Sequence, residues 1–329
     1  MNQLAVSQSP VLPAEEQDLL RHLFHTSTDI LVTTHRHPDG DAVGSLLGTT
    51  LALRAAGKRV TAHTPNTPPA FLQFLPGFSS ITQTPPSLFD VDLAIALDHS
   101  ELHRTGLERE LVEARRPLIA IDHHATADRR GSINIVVPEA AATAEMLETL
   151  LPAWGFPITA DVATCLLAGM MTDTGSFQHA NTSPRVLASA ARLLDRGADL
   201  PAITAAVFGG RTLSALRIAG RALERLRVHP EMGMVLSVLT KADLEECGAS
   251  VEDLTGVVNL LNTIPEANFS LLLAEIETGK IKGSLRSDPE GTVDVSSIAR
   301  RFGGGGHRLA SGFEVAGHLV RDETGWRVE

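Results

Sequence analysis

The sequence predicts an α/β protein with two domains: a parallel-sheet domain first, then a smaller mixed α/β domain. Three observations lead there. Short apolar runs alternate with helical stretches through the first half, the pattern of a parallel sheet covered on both faces. From about Gly233 the texture shifts to strand-like segments with fewer helices. The chain has 329 residues and is 43% hydrophobic, enough for two ordinary cores.

Residues 29–34 (DILVTT) read as a strand ending at His35, and a helical pattern follows from Asp41 to Ala56 with Gly57 as its C′ stop. Residues 91–97 (VDLAIAL) form a second apolar run ending at Asp98, and 117–121 (PLIAI) a third ending at Asp122. A helix over 159–171 (TADVATCLLAGMM) ends at Thr172 and Asp173. Residues 183–227 are helical with little strand character. Beyond them MVLSVLT, FSLLLAEIE, KIKGSLRS and GFEVAG are strand-like, separated by helical segments near 251–262 and 294–302. The expected organisation is a first domain over 1–184, a helical connector over 185–228 and a C-terminal domain over 229–329.

The formal net charge of −11 argues against wrapping long nucleic acid through a broad basic surface. An anionic substrate would need local positive charge, from metal ions or a few Arg and Lys. There is no Tyr and only Trp154 and Trp326, so base stacking would rely on Phe or His. Cys165 and Cys247 form neither a disulfide framework nor a zinc pattern and read as buried small residues. The opening MNQLAVSQSPVLPAEEQ lacks the basic start and apolar stretch of a signal peptide. No segment reaches the roughly 18 apolar residues of a membrane span. The expectation is a cytoplasmic protein without a membrane partner.

Four clusters carry chemistry: His35-Arg36-His37-Pro38-Asp39-Gly40-Asp41, Asp98-His99-Ser100, Asp122-His123-His124, and Thr172-Asp173-Thr174-Gly175. Three directly follow an apolar run, and side chains just past the carboxyl ends of parallel strands converge on one crevice. One Asp after a strand is ordinarily a helix cap or turn residue, and on that reading Asp41 caps the following helix. Recurrence of four such clusters at element ends within one domain is the stronger fact. Several carboxylates meeting there would repel one another without cations, and oxygen ligands mixed with imidazole suit manganese or a similar divalent ion.

These clusters, as HRHPDGDAVGS, ALDHS, IDHH and TDTGSF, resemble the four motifs of the DHH phosphoesterases. Phe302-Gly303-Gly304-Gly305-Gly306-His307, followed by Ala310-Ser311-Gly312, resembles the GGGGH signature of their DHH-associated C-terminal domain. The chain is most similar to the bacterial nanoRNase/pAp-phosphatase group, which degrades very short RNA and removes the 3′ phosphate of adenosine 3′,5′-bisphosphate (pAp).

The resemblance implies two divalent metal ions. One would be held by His35, Asp39 and Asp98, the other by Asp41, Asp98, His123 and Asp173, with Asp98 bridging. Two such ions would balance the charge of Asp39, Asp41, Asp98 and Asp173. The resemblance assigns His124 to the phosphate or leaving group and makes Asp122 the carboxylate that orients imidazoles. It places substrate phosphate on Arg286, Gly304, Gly305, Gly306 and His307, and a basic residue, Arg104, near the active site. His37 and His99 match no family role and read as loop residues. Residues 280–308 hold Lys280, Lys282, Arg286, Arg300, Arg301 and Arg308 against Asp288, Glu290 and Asp294, a local positive excess. Arg300 and Arg301 read as a solvated helix face, and Arg217, Arg221 and Arg225, at four-residue spacing, as a solvated or interface face.

The implied enzyme takes short single-stranded oligonucleotides and pAp, with its active site between the two domains. The alternative with the same chemistry is a cyclic di-AMP or pApA phosphodiesterase. A reading from another class is a catalytically inactive nucleotide sensor, against which the intact metal motifs count. A homodimer is the expectation that relatives suggest.

Overall fold

In the computed structural model, which describes residues 12–209, 212–254, 256–287, 293–322 and 325–329, the chain forms two units, Met1–Gly210 and Arg211–Glu329. The first unit runs through α1 (Ala14–Thr26), β1 (Asp29–Thr33), α2 (Gly40–Ala55), β2 (Arg59–His63), β3 (Ile81–Thr82), β4 (Leu93–Leu97) and α3 (Glu108–Ala114). It continues with β5 (Leu118–Asp122), β6 (Ile133–Val136), α4 (Thr143–Ala153), α5 (Ala160–Asp173), α6 (Pro184–Asp195) and α7 (Leu200–Phe208). Its strands pair in parallel in the order β3-β2-β1-β4-β5-β6. The chain builds outward one way from β1 and the other way from β4. The carboxyl ends of β1 and β4 therefore flank a topological switch point, where open α/β sheets place their ligands.

Alternation explains why these strands read as apolar runs. Ile30, Val32, Leu93, Ile95 and Leu97 enter the core with Leu46, Leu47, Leu147 and Leu166 of the covering helices. Leu31, Ala94 and Ala96 face the other side, against Leu102, Leu107 and Leu111. Both faces of β4 and β5 are buried throughout. α2 is buried nearly all round, as a helix without a polar face must be.

α2 begins at Gly40, and its N-cap is Asp39, whose carboxylate accepts the Ala42 N–H at 3.0 Å. The capping reading of Asp41 is therefore corrected: Asp41 lies inside the first turn, fully buried. α2 crosses α5 through small residues. A Cβ on Gly44 would lie 2.4 Å from the Cys165 carbonyl oxygen and 2.9 Å from the Gly169 nitrogen. Cys165 and Cys247 are free and buried, as expected.

The second unit contains α8 (Leu213–Glu224), β7 (Arg227–His229), β8 (Met234–Leu239), α9 (Lys241–Cys247), α10 (Val257–Leu261), β9 (Phe269–Glu277) and β10 (Lys280–Ser287). After these come α11 (Val295–Arg301), β11 (Gly305–His307), β12 (Ala310–Ala316), β13 (Leu319–Asp322) and β14 (Gly325–Val328). A mixed sheet runs β11-β12-β10-β9-β8-β7, parallel only between β8 and β9, and β13 pairs with β14 alone. One face carries Ile218, Val235, Val258 and Leu272. The other carries Leu285, Val295, Ala299 and Phe313, under the α11 that Asp294 caps through the Ser296 N–H at 2.9 Å.

The helical stretch expected as a connector over 185–228 divides between the units. Val186 and Leu193 of α6 and Ile203 of α7 join the first core, while Ile218 and Ala222 of α8 join the second. Two members of the basic stripe are ion-paired and the third, Arg217, is exposed: Arg221 meets Asp243 at 2.6 Å and Glu246 at 3.2 Å, and Arg225 also binds Asp243 while lying 5.4 Å over the Trp326 ring. Arg300 and Arg301 are exposed. Asp288 and Glu290 lie outside the described residues. No described helix is long and apolar enough to cross a membrane.

The α2–α5 crossing generates a contrast between two glycines. Gly44→Ala forces a Cβ into a backbone carbonyl and should cost about 1–3 kcal/mol. Gly220→Ala in α8, where a Cβ meets nothing within 4 Å, should be neutral or stabilising by up to about 1 kcal/mol. Thermal unfolding of the two variants measures this; equal effects would show that the crossing is not tight.

Candidate metal centre

The ends of β1, β4 and β5 and the facing ends of α2 and α5 bring His35, Asp39, Asp41, Asp98, His123, His124 and Asp173 into one place. Three sets of ligand atoms each lie within 4.8 Å of one another: His35, Asp39 and Asp98; Asp41, His123 and Asp173; and Asp98, His123 and His124. Asp98 stands between the first two sets. Its Oδ2 faces His35 Nε2 at 3.7 Å and its Oδ1 faces His123 Nε2 at 3.4 Å. It holds this place with φ +52°, a left-handed backbone that costs a side-chain-bearing residue energy.

The donor set fits divalent cations. The His35 Nδ1 is bonded to the Arg36 carbonyl at 2.8 Å and the His123 Nδ1 to that of Ala140 at 3.2 Å, so each ring turns Nε2 toward the carboxylates. Asp41 accepts the Thr143 and Ala144 N–H groups at 2.7 and 3.0 Å, at the N-terminus of α4. The helix end supports negative charge there. Asp173 Oδ2 lies 3.4 Å from His123 Nε2.

Electrostatics reports the crowding. Burial, then Asp98 and Asp173, pushes Asp41 well above the usual carboxylate range. Burial and Asp98 raise Asp173 to about 7, and the same two causes raise Asp39 at the rim. Burial opposes charge on Asp98 too, but His123 and His35 outweigh it and hold that carboxyl low. Burial likewise works against a charged His123, yet Asp98, Asp41 and Asp173 carry it up to about 10, and His35 rises for the same kind of reason. Replacing shared protons by cations relieves this conflict.

His124 differs from its neighbour. Its Nδ1 is bonded to Asp122 Oδ1 at 2.7 Å, so Nε2 is its free atom, and Asp122 raises its pKa. Asp122 is fully buried and also accepts the His124 N–H at 2.8 Å and the Ser100 N–H at 2.6 Å. These bonds overcome burial and lower its pKa.

Some of this network carried no sequence signal. Thr143 Oγ1 donates to Asp98 Oδ1 at 3.2 Å across 45 positions of chain. His99 is a loop residue, but a buried one: it is 1% exposed, with Nδ1 3.3 Å from Asp122 and Nε2 3.8 Å from Asp128. His37 is an exposed loop residue. Arg104 lies in the turn after Asp98, half-buried, and its carbonyl accepts the Arg36 N–H at 2.7 Å, tying the first and second motif loops together. A cavity of about 680 Å³ in this unit, walled by Leu12, Leu20, Phe24, Leu150, Trp154 and Phe156, contains none of the clustered residues.

In the second unit, Arg286 of β10 and His307 of β11 both pair with Ala310 of β12, one row across the sheet. The His307 side chain lies outside the described residues. Arg286 is half-buried, held by Asn259 Oδ1 at 2.9 Å with no carboxylate partner among the described residues, and burial lowers its pKa. The loop before β11 runs against β12 so tightly that a Cβ on Gly304 would lie 2.2 Å from the Gly312 carbonyl oxygen, and Gly306 has φ +137°. A Cβ on Gly305 would meet nothing within 4 Å.

Comparison with known proteins agrees with this arrangement. Residues 29–170 match the DHH family, N-terminal domain, and residues 232–323 match the DHHA1 domain. The bifunctional oligoribonuclease and PAP phosphatase NrnA of Thermus thermophilus is 38% identical over 289 residues, 88% of this chain and 84% of that protein. Its namesake from Bacillus subtilis is 28% identical over 91% of this chain and 92% of that protein. The crystal structure of an exopolyphosphatase-related protein from Bacteroides fragilis superposes with TM-score 0.83 at 30% identity, covering 93% of this chain and 92% of that one. The chain belongs to the DHH family.

The raised groups predict a pH-dependent stability in the metal-stripped protein. His123 titrates from 6.5 when unfolded to about 10 when folded, and Asp173 from 3.8 to about 7. In both cases the folded chain holds a proton that the unfolded chain has released, so stability falls as pH rises through these windows. The chelated protein should lose Tm between about pH 7 and about 9.5, and His123→Gln should flatten that slope. A chelated wild-type protein with a level Tm over this range would contradict the described crowding.

Proposed function

We propose that this member of the DHH family is a two-metal phosphoesterase, preferring manganese, that degrades short oligonucleotides and removes the 3′ phosphate of pAp. One observation carries the reading: the two oxygens of Asp98 face two ligand groups, as a bridging carboxylate requires. His35, Asp39 and Asp98 would hold one ion, and Asp41, Asp98, His123 and Asp173 the other. When bound, two such ions would supply Lewis acidity, activating water and offsetting the negative charge of the phosphate.

The chain's own groups do the rest. Asp122 fixes the His124 ring through Nδ1 and favours its protonated form, so Nε2–H serves the phosphate or the departing oxygen. Arg286, a half-buried cation without a carboxylate partner among the described residues, takes a second phosphate. Gly304, Gly305, Gly306 and His307 would line the same phosphate position, the glycines by allowing close backbone approach; the Gly304 N–H itself is given to the Ala299 carbonyl at 3.0 Å. Arg104 adds positive charge near the second motif. The names of the Thermus and Bacillus relatives support this substrate class.

Chelation should abolish hydrolysis, and manganese should restore it better than calcium. Asp98→Ala should lose both ions on metal counting, where Asp39→Ala loses one. Full activity after stripping, or a single lost ion in Asp98→Ala, defeats the bridging assignment.

Substrate length follows from charge. Each phosphate contact adds affinity and salt sensitivity, and this acidic chain concentrates its cationic contacts in one segment. Oligonucleotides of about two to five residues should be cut much faster than strands of about twenty, with pAp also accepted. The assay is a 5′-labelled RNA length series at fixed salt, with pAp, pApA, cyclic di-AMP and pyrophosphate alongside. Equal rates for a trimer and a long strand would mean a processive exonuclease instead.

A further inference from the structure

Phe302, the residue between α11 and the glycine loop, is 50% exposed. Its ring is nevertheless fixed, stacked on Phe313 with centroids 4.7 Å apart and planes inclined by 24°. Phe313 is buried and lies flat over Gly283 of β10, where a Cβ would meet its ring atoms at 2.2–2.6 Å. Three layers result: a glycine backbone, a buried ring and a half-exposed ring. The glycine loop joins the stack directly, since a Cβ on Gly304 would lie 2.5 Å from Phe313 Cβ.

The two tryptophans are committed elsewhere. Trp154 packs on Phe24 at 5.3 Å, and Trp326 is covered by Arg225. Phe269 and Phe313 are buried, so Phe302 is the exposed phenylalanine of the second unit. A flat ring beside a loop of close-approach glycines matches the two ends of a nucleotide: a π-face for the base and a backbone free of side chains that a phosphate can approach.

We propose that the exposed face of Phe302 is a stacking platform for a nucleobase, seated beside the glycine loop. This rests on the reading of the chain as an enzyme of nucleotide phosphates. Stacking on a phenyl ring tolerates every base, so the platform selects nucleotides over simple phosphates without selecting a sequence. Gly283 is essential to it, since any side chain there would displace Phe313 and unseat Phe302.

The experiment compares kcat/KM for pAp and for base-free ribose 3,5-bisphosphate in wild type, Phe302→Ala, Phe302→Leu and Phe302→Trp. Phe302→Ala and Phe302→Leu should lose about 5- to 100-fold on pAp, with no change on the base-free compound. Phe302→Trp should match or exceed wild type on pAp. Leu keeps apolar packing against Phe313 but has no π-face, so a wild-type result for Phe302→Leu overturns the platform. Equal losses on both compounds overturn it too, as does a wild type that uses both compounds equally well, which would leave the phosphoesterase reading standing. A wild type that hydrolyses neither overturns both.

Discussion

The crossing of α2 over α5 at Gly44 and Gly169 is the contact on which the site depends. Each helix delivers an acidic residue, Asp41 from the first turn of α2 and Asp173 from the last residue of α5. The two can meet only if the helix axes approach more closely than side chains ordinarily permit. A Cβ on Gly169 would lie 2.8 Å from Asp41 Oδ1 itself. The same backbone contact that packs the core thus sets the distance between two carboxylates, and α4 locks the result by donating two N–H groups to Asp41. Packing and chemistry are one constraint here.

That constraint holds negative groups where they repel. A protein interior tolerates such a cluster only with compensation by protons, cations or directed hydrogen bonds. All three devices are visible. Asp41 and Asp173 are pushed toward protonation, Asp98 is neutralised by imidazoles, and Asp122 is satisfied by N–H donors and so keeps its charge. Neighbouring carboxylates therefore differ in character because their partners differ. Asp122, bonded to the His124 ring, orients that histidine, and the carboxylates that crowd one another are those that could receive cations.

The parts legible in the sequence were those with a local signature. DILVTT, VDLAIAL and PLIAI read as strands because parallel strands buried on both faces become continuous apolar runs. β2 (RVTAH) and β6 (INIV) escaped because they are short and partly polar. α9 also escaped, although the capping box of Thr240 and Asp243 was its readable signal. In the site, the four acidic and histidine clusters stood out because each is compact in sequence and closes an element. Thr143 and the approach of His99 to Asp122 and Asp128 stayed hidden because they exist only through long-range contact, which spacing along the chain does not encode. The division of the helical stretch after 184 was equally invisible, since α6 and α8 share an amphipathic texture and differ only in which core receives them.

The left-handed backbone at Asp98 bears on how such an enzyme could be improved. A glycine or asparagine would adopt that conformation more readily, and either would remove a buried charge. Either substitution would relax the backbone but would also take away the carboxylate that faces both His35 and His123. Backbone ease and buried charge pull in opposite directions at this one position, so engineering of this fold has to screen turnover and robustness together.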